Sequence, residues 1–141
     1  MMRRRIPGLK SVTPISEDVP DGFFLVRVDR LHYRWDRQKP FFSLRLTVIE
    51  PVAFANRSIS GRLYCTPKAL WKLSWFLRDF GYDPDLLGRE EIDERAVLDL
   101  TGIVNVSHAM VDGRSLLNFE GFAPAAQWSE LSQFLPPGAA A

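Results

Sequence analysis

Between Arg27 and Arg45 the chain carries six cations (Arg27, Arg30, Arg34, Arg37, Lys39 and Arg45) against two acids, Asp29 and Asp36. Five of the six are arginine, whose planar guanidinium both pairs with phosphate and stacks on flat rings. Trp35 and Phe41 lie among them, and Arg62 with Tyr64 repeats the pairing further along. Rings interleaved with cations suit a ligand that offers bases and phosphates together. Each exposed base stacks on a ring for roughly 1–3 kcal/mol, while the cations displace counterions from the backbone.

Other chemistry finds less support. Asp83, Asp85, Glu90, Glu91, Asp93 and Glu94 form an acidic stretch of the residue type that hard cations prefer. Nothing in the spacing aims them at one point, and acids also gather where helices begin. There is no glycine-rich phosphate loop and no Gly-x-Ser-x-Gly elbow. Cys65, the one cysteine, shares the inward phase of Leu63 and reads as an inert buried thiol. With His32 and His108 as the only imidazoles, neither a zinc site nor any other cofactor is expected, and no enzyme activity follows.

The elements that must position the cations and rings can be read from periodicity. Residues 22–35 alternate as a strand, but the apolar phase changes: Phe24, Val26 and Val28 are even, Leu31, Tyr33 and Trp35 odd. One inserted residue near Asp29-Arg30 turns every later side chain over, so a bulge or bend is predicted there. Residues 36–40 read as a connecting loop. A second strand follows, with Phe42, Leu44, Leu46 and Val48 inward and Phe41, Ser43, Arg45 and Thr47 outward. A third, over 58–66, turns Ile59, Leu63 and Cys65 inward and Ser60, Arg62 and Tyr64 outward.

Thr66-Pro67 offers an N-cap and a first-turn proline, and Gly81 a C-terminal stop. Leu70, Leu73, Phe76, Leu77 and Phe80 fall on one helical arc between them, with Trp71 and Trp75 on its flank beside Lys68 and Lys72. Residues 82–96 predict short helical turns begun at Asp83-Pro84 and Asp93. A fourth strand over 98–107 and a short fifth over 115–122 are joined by a hairpin turn at Asp112-Gly113.

Three strands, a capped helix and a closing hairpin predict a mainly β fold: a five-stranded OB-like barrel with one helix between strands three and four. An open α+β sheet packed on one helix is the alternative. On the barrel reading, ligand contacts come from Arg34, Trp35, Arg37 and Lys39 in the first loop and from Phe41, Arg45, Arg62 and Tyr64 on strands two and three. The last loop adds Arg114, with Met110 and His108 as weaker choices. Trp35 and Tyr33 read equally well as core, and His108 as a solvated side chain.

The 141 residues suit one core, with 46% apolar and 25% charged residues. Residues 1–21 are expected as an arm, 22–122 as the barrel and 123–141 as a tail. Met1-Met2-Arg3-Arg4-Arg5 lacks an apolar stretch behind it, and no run approaches membrane-spanning length, so a cytoplasmic location is expected. Residues 1–72 hold 14 Lys/Arg against 6 Asp/Glu, a net +8, and residues 73–141 hold 4 against 11, a net −7, which together give the overall +1. Attraction between these halves would make a homo-oligomer.

The runs Gly22-Phe23-Phe24-Leu25-Val26-Arg27-Val28, Lys39-Pro40-Phe41-Phe42-Ser43-Leu44 and Gly61-Arg62-Leu63-Tyr64 carry a resemblance. With Phe80-Gly81-Tyr82 and Asn118-Phe119-Glu120-Gly121-Phe122, they make the chain resemble an uncharacterised OB-like family of phage and mobile-element single-stranded-DNA-binding proteins. The resemblance spans about residues 20–125. It implies single-stranded DNA or RNA as partner, DNA favoured, bound without sequence specificity by the basic and aromatic residues named above. Bacterial single-strand binders commonly end in an acidic tip, whereas this chain ends Pro136-Pro137-Gly138-Ala139-Ala140-Ala141, so recruitment through the tail is not expected. The rival reading is an OB module that binds protein, with Trp71 or Trp75 as anchor unless 128–134 covers them.

Overall fold

The computed structural model describes residues 3–7 and 19–132. Five antiparallel strands form one sheet in the order β3-β2-β1-β4-β5: β1 (Gly22–Asp36), β2 (Lys39–Glu50), β3 (Ser58–Tyr64), β4 (Thr101–Val111) and β5 (Arg114–Pro124). Helix α1 (Leu70–Asp79) follows β3, and two short helices, α2 (Pro84–Gly88) and α3 (Glu94–Val97), lead to β4. After β5 comes α4 (Trp128–Leu131). The fold is mainly β, and no helix among the described residues is long and apolar enough to cross a membrane.

The phase change in β1 is a register shift between Val28 and Arg30. Phe24, Val26 and Val28 are buried before it and Leu31 after it, so Asp29 is the residue the ladder skips. On β2, Phe42, Leu44, Leu46 and Val48 face the same core, joined by Ile59 and Leu63 of β3. Each such fully buried side chain is worth roughly 1.5–3 kcal/mol against exposure. Val19 is also buried there, so the residue ahead of β1, expected as part of an arm, contributes to the core.

Helix α1 closes this core with Leu73, Phe76 and Leu77, whereas Leu70 at its start is 45% exposed. Its end is the expected one: Gly81 takes φ +81°, Gly81 N–H donates to the Arg78 carbonyl and Tyr82 N–H to that of Leu77. Its beginning is not. Residues 66–69 form a turn in which the Thr66 carbonyl accepts from Ala69 and Leu70, and the helix starts after it with no side-chain cap. Asp83 and Asp93 do cap α2 and α3, accepting from the N–H of Asp85 and of Arg95.

One connection is tighter than the sequence predicts. Lys39 and Pro40 belong to β2, so the loop between β1 and β2 shrinks to Arg37-Gln38, at φ 49° and 67°. Positive φ at both central residues gives a two-residue hairpin turn the right-handed twist it must match. Asp112-Gly113 turns in the same way, at φ 51° and 76°. Strand β5 is 11 residues long, not short, because the chain stays paired with β4 as far as Pro124.

The sheet differs from a closed barrel at one place. Its edge strands β3 and β5 approach each other, but no backbone ladder joins them among the described residues. The ring of Phe119 on β5 lies over Gly61 of β3, in the space an added Cβ would enter. A side chain fills the space where a ladder would run. Of the tail expected over 123–141, the first two residues belong to β5 and Trp128–Leu131 form α4, while the part from 133 onward, with Phe134 and the final Pro136-Pro137 stretch, lies outside the described residues.

Candidate nucleic-acid interface

The strand registers set the outward side chains of β1, β2 and β3 in three rows. Arg30 faces Arg45, which faces Ser60; His32 faces Ser43, which faces Arg62; Arg34 faces Phe41, which faces Tyr64. The bulge at Asp29 is what brings Arg30, His32 and Arg34 onto this face, because it reverses the phase of β1 after Val28. The face is therefore written in the sequence as two alternating strands and one that changes phase.

Its components are not equivalent. Arg45, which has no acid beside it along its own strand, pairs across to Asp29 at 3.8 Å and donates to Ser58 Oγ at 3.2 Å. Arg62 donates to Asp36 Oδ2 at 2.8 Å and to Tyr64 Oη at 3.4 Å, and its guanidinium lies 4.3 Å over the Phe41 ring. The Asp36 and Tyr64 hydrogen bonds hold the Arg62 pKa above its ordinary value. Phe41 is in consequence only 4% exposed, covered by Arg62 and tilted against Tyr64 at 5.7 Å. The exposed stacking ring expected of Phe41 is absent, since its neighbours on the same face already cover it.

Trp35 is placed by the same phase change on the opposite side of the hairpin. It is 65% exposed, edge-on to Tyr33 at 6.1 Å, beyond the reach of the core. Trp35 is thus neither a core residue nor on one face with Arg34. Arg37 is exposed on the turn and Lys39 stands opposite Asp36. Arg30, Arg34, Arg37 and Lys39 have no ion pair among the described residues. Arg114 opens β5, its side chain lying outside the described part. His108 is half-buried with Nδ1 2.6 Å from Asp21 Oδ1, a partner 87 positions away that local sequence does not reveal. Met110 is 71% exposed near the β4–β5 turn.

Tyr64 is the meeting point of three clefts. One of about 590 Å³ runs between the edges of β3 and β5, from Ser60 and Arg62 to His108 and Asn118. A second of about 510 Å³ lies between Lys39, Tyr64 and the turn at Pro67-Lys68. A third of about 240 Å³ passes from Arg62 and Tyr64 to Lys68, Trp71 and Lys72. Among the described residues, no aspartate or glutamate lines any of the three.

Lys68, Trp71 and Lys72 were outside the expected ligand face. A sequence signal exists: both lysines stand around the start of α1, whose first turn carries no acid, where the helix dipole disfavours cations. Trp71 is 59% exposed, so the described residues leave it open, whereas Trp75 is half-buried against Phe122 at 5.9 Å and donates to Asp79. The acidic stretch 83–94 is used locally. Asp83 and Asp93 cap helices, and Glu94 accepts from the Tyr33 N–H at 3.0 Å. No group of three or more His, Cys, Asp or Glu able to hold a metal occurs among the described residues. Cys65 is half-buried beside the core, and burial raises its thiol pKa. Comparison with protein-family models and with curated proteins finds no match for the chain.

Proposed function

We propose that this protein binds single-stranded nucleic acid, DNA in preference, without sequence specificity, and that it catalyses no reaction on it. The observation that carries the reading is the junction at Tyr64. Clefts that no carboxylate lines among the described residues meet there, beside a three-strand face on which Arg30, Arg34 and Lys39 have no ion pair among those residues. Cations without internal partners attract an external polyanion, and a half-exposed tyrosine gives a base a surface to stack on.

We infer further that the sheet is a variant of the OB barrel in which the β3–β5 closure is made by Phe119 over Gly61. The strand order and the position of α1 between β3 and β4 support this. The resemblance of the chain to phage and mobile-element single-strand binders points the same way.

Titration of labelled oligonucleotides at rising salt tests the function. Affinity should fall by about 0.7 log units per log unit of salt for each phosphate neutralised. The oligonucleotide should stay intact with or without EDTA. Absence of binding to any oligonucleotide at low salt removes the reading and leaves a protein-binding module. The exposed Met110, Val111 and Leu116 of the β4–β5 hairpin are what favour that second reading.

A further inference from the structure

We propose that the bound strand does not stop at the three-strand face but passes Tyr64 and continues along the start of α1, where Trp71 stacks a base and Lys68 and Lys72 hold the flanking phosphates. This extends the single-strand reading and rests on it. The cleft of about 240 Å³ that runs from Tyr64 to Trp71 is the physical connection, and Lys68 and Lys72 are in its wall.

The ring of Trp71 is prepared for the task. One side rests in an offset stack on Trp75, with centroids 6.1 Å apart and 28° between planes. Trp75 is in turn held by its indole N–H to Asp79 at 2.8 Å and by its edge contact with Phe122. The platform is thus anchored to the core although Trp71 itself is 59% exposed. Lys72 Nζ lies 5.6 Å from the Trp71 ring centroid. This surface contact gives way readily to a base, because the ammonium on its flexible stem can turn to the adjoining phosphate. A ligand seated here meets cations and an aromatic face with no carboxylate in the lining among the described residues, which matches a nucleotide and not an acidic or neutral apolar surface.

The path predicts a length-dependent defect. Single OB folds cover roughly 4–16 nucleotides, so oligothymidines of about 4 and about 16 residues bracket the two parts. Trp71→Ala should weaken the longer oligomer by about tenfold, the loss of one stacked base, and leave the shorter one within about twofold. Trp71→Phe should restore most of the affinity. Lys72→Ala should lower the salt slope for the longer oligomer by about 0.7. Circular dichroism and the unfolding midpoint check that each variant folds. If wild type binds both lengths and Trp71→Ala binds the longer equally well, the path over α1 is wrong while single-strand binding stands. If wild type binds neither length, the single-strand reading has failed and this path with it.

Discussion

Arg62 and Arg34 look alike in sequence, and their surroundings separate them. Arg62 holds Asp36, reaches Tyr64 and covers Phe41, whereas Arg34 has no ion pair among the described residues. Arg62→Ala is therefore expected to destabilise the fold by about 1 kcal/mol through the lost cation–π cover and ion pair. Arg34→Ala should change stability by less than about 0.5 kcal/mol and weaken oligonucleotide binding alone. Urea unfolding and a binding titration on the same two variants distinguish the roles. Cys65 gives a second test at this scale. Its raised thiol pKa keeps less thiolate at pH 8 than the unfolded chain has. A thiol reagent should accordingly modify the native protein more slowly than the urea-unfolded one, and equal rates would show that the thiol is not protected.

Among the elements, β3 and β5 decide the shape of the candidate site. Their separation is set by Phe119, whose ring occupies the space that any side chain at position 61 would enter. Gly61→Val should cost about 1–3 kcal/mol by overpacking. Combination with Phe119→Leu should recover part of that loss, because the smaller side chain vacates the contact. A denaturant-unfolding cycle on the two single variants and the double one measures the coupling. Strictly additive losses would show that the ring does not hold the edges apart. The bulge in β1 acts at the same scale: if Asp29 were paired in the ladder instead of skipped, Arg30 and Arg34 would point toward the core side of the sheet.

At the level of the whole molecule, the net +8 of residues 1–72 and the net −7 of residues 73–141 are spent differently. The acidic side of the account is partly internal: Asp99 lies 3.9 Å from Arg27, Glu94 receives the Tyr33 N–H, and Asp83 and Asp93 cap helices. On the basic side Arg30, Arg34, Arg37 and Lys39 keep no such partner among the described residues. Their contribution can be counted by salt dependence. An Arg34→Ala/Arg37→Ala double variant should lower the salt slope by about 1.4, the value for two phosphates on a single strand. An unchanged slope would place the bound strand elsewhere on the surface.

The sequence alone determined the alternating strands, the change of phase in β1, the glycine stop of α1 and the Asp112-Gly113 turn, because each follows from side-chain spacing or backbone preference within a few residues. It also placed the outward positions of β2 and β3 correctly, since a period of two is local. Only the tertiary structure decided which outward residues stay available. Phe41 is covered by Arg62, Arg45 is held by Asp29, and Trp35 turns away from Arg34. Each of these outcomes depends on a neighbour brought alongside by strand pairing or by the bulge. The convergence of Tyr64 with Lys68, Trp71 and Lys72 has the same origin. It arises where a strand edge, a turn and a helix meet, and such proximity is a property of packing that no periodicity along the chain records.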